Sequence, residues 1–281
     1  MRVHNTIESF LHLFENDSNF NLNEYHQRTP DVFQTYFNGY CKKTNDKIIN
    51  ATKRYYDDLP KIKMAGNLLP DVIEKVSKGC EAYFGFSIDV PIHVFVGLYA
   101  SNAFVDHHSA IYLAVEKLHP DPALLEVILT HEMVHSYHNH LLDRAGIDWL
   151  SINWDDVRHS VYREGIATYF SQLISPGYKE SIYYSYDYSG DKWLTFCKNN
   201  TLEIAQTFLT DLENKADGLE QEWLRLSGGK HFGYTRLGYF LGTACISDLC
   251  NALSTAEVLA LLANNEAAAA FDGWIAEAAR D

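Results

Sequence analysis

The sequence predicts an α+β chain that is mostly α. Apolar residues recur at three- and four-residue spacing over most of its length, as in helices with one buried face. Between residues 92 and 99 the period switches to two, which is a strand pattern, and a second strand candidate follows at 110–115. The order is helices, then strands, then helices to the end.

Each element follows from its own pattern. Ile7, Phe10, Leu11 and Phe14 form one helical stripe, and Phe33, Tyr36 and Phe37 form another. Residues 1–66 are therefore read as an N-terminal helical layer with no chemistry in it. A stronger helix spans 69–85, with Val72, Ile73, Val76, Cys80 and Tyr83 on one side after Pro70 and Asp71. Ile92, Val94, Val96 and Leu98 alternate with His93, Phe95, Gly97 and Tyr99 to give a first strand. A second strand runs from Ala110 to Val115. The stretch between them, Ser101 to Ser109, reads as a loop carrying His107 and His108.

Asp121 caps the next helix and Pro122 suits its first position, so a helix is expected to about His140. Another covers roughly 157–174 and stops before Pro176-Gly177. Residues 178–193 hold Tyr178, Tyr183, Tyr184, Tyr186 and Tyr188, a packed surface loop or one wall of a cleft. Residues 201–226 and 232–252 read as helical. Ser254-Thr255-Ala256-Glu257 has the form of a capping box opening a further helix, and helix continues through Ala267–Ala270. No internal repeat or low-complexity linker interrupts the 281 residues, so a single domain over 1–281 is the expectation.

Composition narrows the function classes. With 47% apolar residues the chain can bury a sizeable core. A net charge of −14 makes it a poor nucleic-acid binder and sets it against anionic membrane surfaces. No window approaches 18 uninterrupted apolar residues, so no membrane span is expected. The start, Met1-Arg2-Val3-His4-Asn5-Thr6-Ile7-Glu8, lacks the features of a secretory signal. Five irregularly spaced cysteines (Cys41, Cys80, Cys197, Cys245, Cys250) without a Cys-x-x-Cys read as reduced thiols, and a cytoplasmic location is expected.

The segment with most chemical content is His131-Glu132-Met133-Val134-His135, inside the helix that opens at Asp121. Residues four apart lie about 40° apart around a helix, so both imidazoles can reach one ion. Leu124, Ile128, His131, His135 and His138 share one face. Its upstream members are apolar, so the histidines point inward too. A shared cation, by ligand type Zn2+, offsets the desolvation of facing imidazoles.

A catalytic zinc site needs a third protein ligand. Glu164 is the best candidate, in Tyr162-Arg163-Glu164-Gly165-Ile166-Ala167-Thr168, on a face with Val161, Ala167 and Thr168. A carboxylate on an otherwise small or apolar face is costly unless paired. Gly165 lets another backbone come close. His138 is weaker, because positions i and i+7 lie roughly 10 Å apart along the axis; it reads as a supporting or packing residue. His159 and Asp156 are alternatives if Glu164 faces away, and His107 and His108 read as solvated.

These residues resemble the gluzincin zinc metallopeptidases. The match is His131-Glu132-x-x-His135 followed by Glu164-Gly165-x-Ala167, and it is similar to predicted zinc-dependent protease branches with a Glu-Gly-x-Ala third-ligand segment. The resemblance implies a zincin-like metallopeptidase fold, with a small sheet packed on the His-Glu-x-x-His helix. It implies zinc on His131, His135 and Glu164, with Glu132 as general base. It also implies an edge strand at 110–115 that binds extended substrate. Tyr234-Thr235-Arg236-Leu237-Gly238-Tyr239-Phe240-Leu241-Gly242 is similar to a late helix that supplies a tyrosine to the oxyanion. That makes Tyr239 or Tyr234 the donor, with His231 able to fill the same role. One departure is Thr168, where many members carry an acidic residue that orients a zinc histidine; Asp156 is the substitute considered.

The expected function is hydrolysis of peptide or protein substrates by metal-activated water. The alternative is a zincin-like binding protein, non-hydrolytic, with a structural or absent metal. An iron deformylase would need an upstream Gly-Cys-Leu type segment, and Gly79-Cys80-Glu81 is only a faint echo of one.

Overall fold

The computed structural model describes residues 2–16 and 20–280. It is predominantly helical with one small sheet, in agreement with the α+β expectation. Two compact units emerge, Met1–Ser136 and Tyr137–Asp281.

The first unit opens on a strand, β1 (Arg2–Asn5), where helix was expected. Arg-Val-His-Asn is exposed throughout and carries no alternation, so its pairing with a distant strand left no local signal. Helices α1 (Ile7–Asn16), α2 (Leu22–Arg28) and α3 (Pro30–Thr35) follow, and then a π-helical turn at Tyr36–Tyr40. Within the expected layer over 1–66, residues 1 and 17–19 lie outside the described residues.

Helix α4 runs from Asn45 to Phe84, far longer than the stretch expected from residue 69. It continues through Pro60 and Pro70. A buried stripe of Ala51, Tyr55, Ile62, Ala65, Leu69, Val72, Val76 and Cys80 passes both prolines without a break. An interior proline costs about 3 kcal/mol. Burying several large side chains at about 1.5–3 kcal/mol each outweighs that. The helix starts on the Thr44 side chain, which accepts from Lys47 N–H, and ends on Gly85 in the left-handed conformation.

Strands β2 (Pro91–Phe95), β3 (Ala103–Val105) and β4 (Ile111–Ala114) complete a sheet of order β1-β2-β4-β3. β1 and β4 flank β2 in parallel, and β3 is antiparallel to β4. Val3 pairs with Ile92, and Val94 with Leu113. Two expectations change here. Residues 101–109 contain β3 as well as a loop. β4 therefore lies between β2 and β3, and 110–115 is not the sheet edge that the family resemblance implied.

The first strand also ends earlier than its alternation suggests. Beyond Phe95 the backbone bonds to side chains. Val96 N–H donates to Tyr25 Oη (3.0 Å) and Leu98 N–H to Tyr36 Oη (2.9 Å). Gly97 and Tyr99 N–H donate to the two oxygens of Glu116 (2.8 and 3.0 Å). The Tyr55 hydroxyl donates to Gly97 O at 2.5 Å. With these groups engaged, no ladder extends along 96–99.

Glu116 is fully buried, and burial pushes its pKa up to about 7 against the lowering effect of the N–H groups of Gly97 and Tyr99. In the unfolded chain the same carboxyl titrates near 4.5. The folded state thus holds the proton more tightly. Its stability advantage is complete below about pH 4.5 and is lost as pH rises through about 7, by about 3 kcal/mol at the limit. The Glu116→Gln protein lacks this titration. Denaturant melts at about pH 5 and pH 8 should show the parent losing stability relative to the variant. A pH-independent gap between the two would refute the assignment.

The second unit holds the rest of α5 (Pro122–Arg144) and then α6 (Val157–Ile174), α7 (Ile182–Ser185) and α8 (Asp191–Asn199). It continues with α9 (Thr201–Glu213), α10 (Leu219–Leu224), α11 (Leu237–Ala252), α12 (Thr255–Ala260) and α13 (Ala267–Ala278). The helix expected over 201–226 is broken at Gly218, which takes a left-handed φ of 73°. The tyrosine-rich stretch is largely packed: α7 lies within it, and Ile182, Tyr183 and Tyr184 are buried. Ser254 and Glu257 form the expected capping box at α12. Val161, Phe208, Trp223, Leu241, Cys245, Phe271 and Ile275 make the core of this unit. All five cysteines are thiols, four of them buried. No described helix is long and apolar enough to cross a membrane.

Candidate metal centre

Helix α5 carries the two histidines. Asp121 caps it as expected, accepting from Ala123 N–H at 2.8 Å. Ser136 Oγ donates to Ser109 O (2.8 Å), which ties the middle of the helix to the turn before β4. His131, Glu132 and His135 are buried. The two imidazole centroids lie 4.8 Å apart with their planes at 86°.

Helix α6 presents Glu164, and its neighbours in sequence fix its place. Tyr162 donates its hydroxyl to Val258 O at 2.5 Å. Arg163 Nη2 donates to Asn139 Oδ1 at 2.9 Å. Gly165 meets the bare backbone of Gly242 on α11: a Cβ at 165 would stand 2.8 Å from Gly242 Cα and closer still to its carbonyl. The close backbone approach expected at this glycine is therefore present. Asp156 accepts from Arg158 N–H at 3.0 Å and starts the helix.

One ligating atom each from His131, His135 and Glu164 lie within 4.8 Å of one another. The donor set is two imidazole nitrogens and a carboxylate oxygen. It fits a divalent ion: those donors are the ones a borderline cation takes, and three of them leave coordination positions for solvent or substrate.

The other candidates lie elsewhere. His138 is fully buried, and its Nε2 is 3.0 Å from the carbonyl oxygen of Leu259 on α12. His159 Nδ1 bonds Asn153 O at 3.0 Å. Asp156 is engaged with Arg158 through both carboxylate oxygens, so the charge considered for orienting a zinc histidine is spent on capping α6. Thr168, four residues after Glu164, is fully buried, and among the described residues its hydroxyl has no hydrogen-bond partner. His107 and His108 are exposed.

The three candidate oxyanion donors have different neighbours. His231 Nε2 lies 2.9 Å from Asp211 Oδ2, and its backbone N–H donates to Glu222 Oε1. Tyr234 stacks on Phe196 with centroids 4.5 Å apart. Tyr239 lies against Arg236, whose guanidinium carbon is 4.0 Å from the tyrosine ring centroid.

Sequence reasoning passed over Arg236. It heads α11 with φ 62°, in the left-handed region. For a residue with a Cβ that costs about 1–2 kcal/mol. Its guanidinium also lies over the Tyr186 ring, at 5.3 Å. Burial disfavours its charge, but the Tyr239 and Tyr186 phenols and the Glu164 carboxylate outweigh this and hold it protonated. The signal was present in the sequence: Arg236 is the one charged residue between Phe232 and Ile246.

Compared with known protein families, with curated proteins and with solved structures, the chain matches none.

Proposed function

We propose that this chain is a zinc-dependent hydrolase of peptide bonds, of the gluzincin type and with a zincin-like fold. The observation that supports it most is the convergence of His131, His135 and Glu164, with Glu132 beside the first ligand on the same helix. Those three residues would hold the ion. When bound, zinc supplies Lewis acidity and brings the pKa of a coordinated water towards 7.

The chain's own groups do the rest. The Glu132 carboxylate accepts a proton from the water that attacks the scissile carbonyl, and returns it to the departing amine. Burial of Glu132 keeps bulk solvent from competing for that proton. The hydroxyl of Tyr239 is the proposed donor to the oxyanion, because Arg236 connects it with the surroundings of Glu164. Tyr234 and His231 remain the second choices.

The test is cleavage of unstructured peptides by the zinc-loaded protein, stopped by a chelator and restored by zinc. If every peptide stays intact, the hydrolase reading fails. The metal site is tested separately. Elemental analysis of the wild type should find about one zinc per chain, and Glu164→Ala should lower zinc affinity about a hundredfold or more, because two imidazoles alone bind weakly. Equal affinity in the two proteins would remove Glu164 from the ligand set.

A further inference from the structure

We propose that Arg236 binds a carboxylate of the substrate, and so makes this site selective for anionic peptides. The proposal rests on the hydrolase reading above, in taking the ligand to be a peptide. The carboxylate has two sources, a free C-terminus or an aspartate or glutamate side chain near the scissile bond.

Three observations converge on this arginine. It is half-buried, yet among the described residues no carboxylate forms an ion pair with it. Its guanidinium carbon lies over two aromatic rings, those of Tyr239 at 4.0 Å and Tyr186 at 5.3 Å. The Tyr239 phenol oxygen takes one of its N–H groups. A guanidinium carries five donors in a rigid fork that matches a carboxylate. Its backbone adopts a left-handed conformation that a side chain makes unfavourable, and such strain persists where the surroundings hold a residue in place for use.

Charge points the same way. The carboxylate whose field Arg236 feels is that of Glu164, the proposed metal ligand. One carboxylate only half-neutralises a divalent ion. With the Glu132 carboxylate counted, the loaded centre and Arg236 together still carry a net positive charge, in a chain whose net charge is −14. An anionic group reaching this place gains from both, opposed by the Glu132 carboxylate beside the first ligand.

Binding is measured by titration calorimetry on the zinc-loaded Glu132→Gln protein, which should hold substrate without turnover. The probes are one unstructured peptide as free acid and as C-terminal amide, and the amide with a single internal Asp or with Asn in its place. One carboxylate-bearing member should bind about tenfold or more tightly than its neutral twin. Which pair shows the preference identifies the source. Adding Arg236→Gln should bring that ratio close to one. Arg236→Gly serves as a second variant that suits the left-handed backbone, and it should do the same. A ratio near one in the parent, or an undiminished ratio in both variants, overturns the proposal. Turnover of the same peptides by the wild type separates the two readings. Arg236-dependent preference without any cleavage would leave the carboxylate site standing and end the hydrolase reading. Cleavage with no preference would do the reverse, and failure to bind any peptide would end both.

Discussion

Replacing Glu132 with Gln should lower peptide hydrolysis about a thousandfold while leaving zinc content and thermal stability near those of the wild type. The size follows from the role. A positioned general base contributes about 10²–10⁴ in rate, and a thousandfold corresponds to ~4 kcal/mol of barrier. Gln keeps the volume and the hydrogen-bonding reach of Glu but cannot accept the proton. Glu132 sits about 100° around α5 from His131, so in the proposed centre it is adjacent to the ligands without being one of them. That separates the two measurable quantities. Loss of rate with zinc retained supports the base. Loss of both would mean that residue 132 holds the ion or the fold, and unchanged rate would exclude it from the chemistry.

Much of this centre could be read in advance because it depends on local periodicity. Histidines at i and i+4 must share a helix face, and the burial of Leu124 and Ile128 on that face fixes its direction. Glu164 was readable because a carboxylate among Val161, Ala167 and Thr168 is costly without a partner, and because the glycine after it demands a neighbour. The β2 segment showed itself through alternation, and β4 lies within the second strand expected over 110–115. What escaped was set by partners distant in sequence. β1 is four exposed residues that acquire strand geometry only through β2, some ninety residues away. β3 is three residues long, below the length at which a period can be counted. Helix α4 crosses two prolines because tertiary burial exceeds their local cost. The end of β2 is decided by Tyr25, Tyr36 and Glu116, none of which is near it in sequence. Arg236 went unread for a related reason: its left-handed backbone and its two aromatic neighbours exist only in the folded unit.

Gly165→Ala should destabilise the protein by about 3 kcal/mol or more, and weaken zinc binding with it. Two effects oppose each other here. Alanine is the better helix former by about 1 kcal/mol, and residue 165 lies in the middle of α6, so propensity alone predicts stabilisation. Packing predicts the opposite. The new Cβ would meet the backbone of Gly242 on α11, which cannot rotate away as a side chain can. The crossing has no slack on the other side either, since a Cβ at 242 would run into the carbonyl oxygen of Val161. Separating the two helices would disturb Val161, Tyr162 and Leu241, all fully buried. It would also carry Glu164 with it. The steric term is several times the propensity term, so destabilisation should win, lowering the thermal midpoint by about 6–12 °C. Gly273→Ala is the matched control. It lies exposed within α13 with nothing within 4 Å of the added carbon, and there propensity should act alone. That variant should be more stable by about 0.5–1 kcal/mol. Thermal melts and zinc titrations of the two proteins, measured together, decide the matter. If Gly165→Ala matched the wild type in both, α6 and α11 would not meet at bare backbone, and the placement of Glu164 would lose its support.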